Sequence, residues 1–141
     1  RYTGQRPAGI ALGLADGNAT VDIVVALAGE GEVVTLAGDG LGEFAYPLST
    51  IVGGDPNLLV AERFTADPHL DVALVDSAAD TVTVLAGVGD GSFTATTPVP
   101  LGDSPSSLRT ADLDADGLLD LVITCTFSHD VWILWGNEHV P

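Results

Sequence analysis

Lysine and methionine are absent from this chain of 141 residues, and cysteine occurs once. The only basic side chains are Arg1, Arg6, Arg63 and Arg109, set against 20 acidic ones, for a formal charge of −16. A nucleic-acid binder must replace phosphate counterions with a basic face, and four arginines cannot build one. Attraction to an anionic membrane surface is excluded on the same ground. No apolar run reaches the ~18 residues that a membrane-spanning helix needs. Cys125 has no internal partner, so this is not a small fold held by disulfides, and its core must come from packing. The chain does not open on Met and carries no signal-peptide pattern, which leads us to expect a mature, processed or excised piece.

What is present is a folded composition. Hydrophobic residues make up 46% against 17% charged, which supports a core and argues against disorder. Seventeen glycines and eight prolines break the chain into short segments, so a helical bundle is disfavoured.

The segments repeat. Prolines fall at 7, 56 and 105, aspartates at 22, 71 and 120, and valines at 33, 82 and 131. Leucines fall at 36, 85 and 134, and glycines at 38, 87 and 136. Every step is 49 residues, so the copies align without a gap. Gly40, Gly42 and Phe44 match Gly89, Gly91 and Phe93 in two of the copies. The chain is therefore about three copies of one supersecondary unit. Their bounds are 7–55, 56–104 and 105–141, with 1–6 ahead of the first.

Each unit opens on its Pro with an apolar stretch, then an Asp-rich loop. A β-branched apolar run follows from the shared Asp: 22–27, 71–75 and 120–125. Such runs read as strands buried on both faces. A third strand is expected at 32–36, 81–85 and 131–135, and a fourth from Phe44 or Phe93 after a Gly-rich turn. Four short antiparallel strands per unit of 40–50 residues make the predicted fold all-β, with each unit one blade of a β-propeller. The third unit stops before its fourth strand. Residues 1–6 occupy the register of a strand that could complete a blade.

The stretches 105–136 and 81–93 resemble VCBS or FG-GAP repeats, the blades of integrin-α-like propellers. That resemblance implies an extracellular module for adhesion, lectin activity or protein binding, or an accessory domain beside an enzyme. It also implies Ca²⁺ in the loop between the first two strands of a blade.

The third unit carries Asp112, Asp114, Asp116, Gly117 and Asp120, spaced DxDxDGxxD. Ca²⁺ takes six to eight oxygens at about 2.3–2.6 Å, and alternate aspartates let a tight loop aim three carboxylates inward. Gly117 permits the positive φ that turns the chain. The Leu118 carbonyl can add an oxygen, and Asp120 can close the shell. An EF-hand would need Glu at the twelfth loop position, where this chain has Ile123. The first unit keeps Asp16, Asn18 and Asp22 as weaker donors. The second has Arg63 at the first ligand position, where pairing with Asp67 or Asp71 would replace the ion.

Four further patterns have plainer readings. The glycines at 38, 40 and 42 and at 87, 89 and 91 resemble a phosphate loop, but a strand rather than a helix follows. Ser128, His129 and Asp130 are consecutive and do not converge as a triad, so no enzyme is expected. Trp132 and Trp135 suit packing between blades, with a glycan-stacking platform as the lectin-like alternative. Asn18-Ala19-Thr20 is a glycosylation sequon that competes with metal binding at Asn18.

The expected function is a non-catalytic, Ca²⁺-stabilised extracellular module for adhesion, recognition or structural assembly. Closed propellers have four to eight blades, so three imply self-association or a longer propeller.

Overall fold

A computed structural model of the chain describes residues 4–65 and 67–136. All regular elements among them are strands. The first unit holds β1 (Pro7–Gly13), β2 (Asp22–Leu27), β3 (Glu32–Leu36) and β4 (Leu48–Ile51). The second holds β5 (Pro56–Glu62), β6 (Asp71–Asp76), β7 (Thr81–Gly87), β8 (Phe93–Ala95) and β9 (Val99–Pro100). The third holds β10 (Pro105–Ala111), β11 (Asp120–Cys125) and β12 (Asp130–Leu134).

Each unit is its own antiparallel sheet, with strands adjacent in sequence adjacent in space except β9, which pairs with β7. The three sheets are the blades of a partial β-propeller. A proline heads each inner strand, where its missing N–H costs no ladder bond. One residue later every inner strand bulges, at Ala8, Asn57 and Ser106. These bulges line a cavity of about 250 Å³ along the three inner strands. Each turn between second and third strand carries one left-handed residue: Gly31, Asp80 or His129, with φ of 64°, 52° and 58°.

The outer strand differs from expectation. Phe44 makes only an isolated bridge to Gly38, and β4 begins at Leu48. In the second unit β8 does start at Phe93, and the chain then breaks and pairs with β7 again as β9. Pro47 accounts for the first case. Its counterpart Thr96 donates its amide N–H to Val84 O at 2.9 Å, and proline has none to give. For the proposed N-terminal strand, residues 1–3 lie outside those described. Gln5 and Arg6 accept, through their carbonyls, the amides of Gly29 and Ala28 in the first turn.

Two apolar cores lie between the blades. Val24, Ala26 and Val33 of the first blade meet Leu59, Val72, Leu74 and Leu85 of the second. Ala73, Val75, Val82 and Val84 then meet Leu108, Leu121, Ile123 and Leu134 of the third. Among the described residues only the middle blade has a blade on each side. β6 is accordingly buried at five successive positions, whereas β2 alternates. On the surface Arg6, just ahead of β1, makes two contacts with Asp55, just ahead of β5, at 3.1 and 3.2 Å. An exposed pair of this kind adds only about 0.2–1 kcal/mol.

Candidate metal centre

The Asp that opens each second strand is buried: Asp22, Asp71 and Asp120 are at most 1% exposed. Each reaches back to the loop before it and across to the end of the third strand. Asp22 accepts from the amides of Ala15 (2.8 Å), Asp16 (3.1 Å) and Gly38 (2.9 Å). Asp71 accepts from Phe64 (2.8 Å), Thr65 (2.7 Å) and Gly87 (2.8 Å). Asp120 accepts from Leu113 (2.8 Å) and Gly136 (3.0 Å). The donors step by 49 residues like the acceptors. This carboxylate ties the blade together in all three units, whether or not the loop keeps the other aspartates.

The third loop adds a separate group. Carboxylate oxygens of Asp112, Asp114 and Asp116 all lie within 4.8 Å of one another, and all three residues are exposed. Two oxygens on one Ca²⁺ can be at most about 5 Å apart, so the three fit a single hard cation. Without a cation each pair repels by about 1 kcal/mol in water and by more near protein. The turns that converge them are local. Asp114 accepts the Asp116 amide, Asp116 the Leu118 amide, and Asp112 the Gly117 amide.

Gly117 has the expected positive φ, 92°. Ala115 is left-handed too, at 62°, which the sequence reading missed. The signal was available, because Gly17 stands at the matching place in the first unit with φ of 77°. Asp120 stands outside the three-carboxylate group, with its oxygens on backbone amides.

The first loop closes on itself. Asn18 donates from Nδ2 to Asp16 Oδ2 at 2.6 Å, and its Oδ1 accepts the Thr20 amide at 2.6 Å and the Thr20 hydroxyl. Asn18 itself is exposed. In the second loop the expected pairing of Arg63 is not formed. Among the described residues the one ion pair is Arg6–Asp55. Asp71 is taken up by backbone amides, and Asp67 accepts from His69 N at 2.8 Å.

The remaining candidates resolve simply. In the glycine turns, Asp39 holds the amides of Leu41 and Glu43, and Asp90 holds the amide and hydroxyl of Ser92. Those hydrogen bonds lower the pKa of both acids, Leu41 contributing most at Asp39 and the Ser92 hydroxyl at Asp90. The amides a phosphate would need already have a carboxylate. Ser128 donates its hydroxyl to Asp130 at 2.7 Å within the turn before β12. Trp132 lies across from Ile123 on the face toward the second blade. Its indole Nε1 lies near Gly102, where an added Cβ would fall 2.4 Å from Ser128 Oγ, 2.6 Å from Asp130 Oδ1 and 2.9 Å from that nitrogen. Trp135 is half-buried just beyond the end of β12.

Cys125 is 2% exposed and belongs to the second core. Burial raises its pKa. The thiolate population at a given pH is therefore below that of a free cysteine. Alkylation of the native chain is expected to be roughly 100-fold slower than in denaturant. Equal rates would show that the thiol is accessible.

Against this geometry the comparison with known families is specific. Residues 63–123 match the family model of the FG-GAP-like repeat. The FG-GAP-like match starts just after β5 and runs through the second loop and β6–β10 into β11. It takes in the whole Asp112–Asp120 loop. No curated protein matches the chain. No helix among the described residues is long and apolar enough to cross a membrane.

Proposed function

We propose that this chain is a non-catalytic, Ca²⁺-stabilised propeller module of a secreted or surface protein, used for recognition or structural assembly. The observation that carries the reading is the convergence of Asp112, Asp114 and Asp116 on the exposed loop of the FG-GAP-like segment. An all-oxygen, all-carboxylate donor set suits a hard cation and offers no soft ligand for zinc or copper. Bound there, Ca²⁺ would relieve the mutual repulsion and fix the hairpin that joins β10 to β11. The extracellular setting is part of this reading and is supported by the FG-GAP-like match; extracellular modules bind Ca²⁺ at about 10⁻⁴–10⁻³ M.

Thermal unfolding in EDTA and in excess Ca²⁺ tests the reading. At about 100 times the dissociation constant the gain is about 2.7 kcal/mol, or roughly 5–10 °C for a chain of this size. Asp114→Ala should remove that shift, and Asp67→Ala should leave it intact. An unchanged midpoint would end the calcium reading.

A further inference from the structure

The two end faces of the molecule are the two halves of its internal joint. Each blade has a forward face toward the next blade and a backward face toward the one before. At both internal joints a forward face is seated on a backward face. Among the described residues no blade covers the third blade's forward face, nor the part of the first blade's backward face around Ile10, Leu12 and Phe44. At the other end of that backward face Leu27 and Val34 are 0% exposed, with Gly4 against Leu27.

Matching positions show the effect. On forward faces Val33 and Val82 are 0% and 1% exposed, but Val131 is 60%. Val84 is 6% exposed and its counterpart Ile133 is 43%; Phe64 is 5% and its counterpart Leu113 is 48%. On backward faces Leu59 and Leu108 are 8% and 2% exposed, while Ile10 is 66%. Phe93 is 7% exposed and its counterpart Phe44 is 46%. The uncovered positions therefore keep apolar side chains of the kind that fill the internal joints. Exposed apolar side chains grouped on one face mark an interaction surface.

We propose that the forward face of the third blade binds the backward face of the first blade of a second copy of this chain. The joint would repeat those already inside the molecule, one head-to-tail contact per copy. The internal joint also fixes the rim. There Gly91 N donates to Ala15 O at 3.0 Å and Thr35 Oγ1 to Gly91 O at 2.7 Å. Shifted by one unit, the Leu113 end of the Asp112–Asp116 loop meets the Gly40–Gly42 turn of the next copy. The joint goes beyond the calcium reading and does not depend on it.

Two variants test it in buffer of about 0.15 M salt, where like charge is screened. Ile133→Glu spoils only the forward face and Ile10→Glu only the backward face. Both residues are exposed, so each variant should keep the circular dichroism of the parent. By light scattering over a broad micromolar range, the parent mass should rise above 14.4 kDa with concentration. Each variant alone should stay at 14.4 kDa, and an equimolar mixture should form a dimer through its one remaining pair of intact faces. A parent that stays monomeric throughout would overturn the proposal. So would a variant that still self-associates, which would mean like faces pair, and so would a mixture that stays monomeric.

Discussion

Asp71→Ala is expected to lower the unfolding free energy by about 3–4 kcal/mol, read from urea unfolding. The carboxylate is fully buried and holds the amides of Phe64, Thr65 and Gly87 within 2.8 Å. Removing it strands two buried donors and one part-buried one, each buried donor costing about 1–3 kcal/mol unless water enters the gap. A domain of this size has about 5–15 kcal/mol in total, so the variant would be close to the edge of folding. Asp71→Asn should lose less, about 2 kcal/mol, because one acceptor oxygen survives while an amide group then faces a donor. The same reasoning separates Asp120 from its neighbours. Asp120→Ala should destabilise in EDTA, where no ion is present to lose. Asp114→Ala in EDTA should stay within about 0.5 kcal/mol of the parent, being an exposed change. If Asp120→Ala were neutral in EDTA and costly only in Ca²⁺, its buried hydrogen bonds would not be what holds the blade.

Much of this was legible in the sequence, for a physical reason. A gapless 49-residue step repeats strand, turn and pairing register together, so the shared columns mark strand ends rather than isolated residues. The prolines at 7, 56 and 105 head the inner strands, and the aspartates at 22, 71 and 120 head the second strands. The loop that gathers Asp112, Asp114 and Asp116 was legible because alternate carboxylates before a glycine leave few other conformations. The departures come from properties that single columns do not carry. Pro47 displaced the fourth strand of the first unit by removing one donor, a local effect that the matching phenylalanine conceals. The charge of Arg63 points to Asp67 and Asp71, yet both aspartates are taken by backbone amides. Asp120 was read as a ligand because it ends a metal-type motif. The comparison that reveals its other role is with Asp71, whose loop has lost the first two carboxylates and keeps this one.

Gly87→Ala is expected to cost about 2–3 kcal/mol, although its φ is not positive and alanine could adopt its backbone. The reason is space. A Cβ built on Gly87 would lie 2.1 Å from Leu70 O and 3.0 Å from Leu70 C, both backbone atoms that cannot rotate away. The same approach recurs at Gly38, 2.3 Å from Val21 O, and at Gly136, 2.8 Å from Leu119 O. Leu70 precedes the buried Asp71, which draws the Gly87 amide in to 2.8 Å. The glycine column and the aspartate column are thus two sides of one contact, and pushing Gly87 outward to fit a methyl group also stretches the hydrogen bond to Asp71. Gly53→Ala is the control. Gly53 has φ of 76° with nothing within 4 Å of its added Cβ, so only the left-handed backbone is penalised, at about 1 kcal/mol. Combining Gly87→Ala with Asp71→Ala should cost less than the sum of the two, since both break the same contact. Strict additivity in urea unfolding would mean that the two columns act independently.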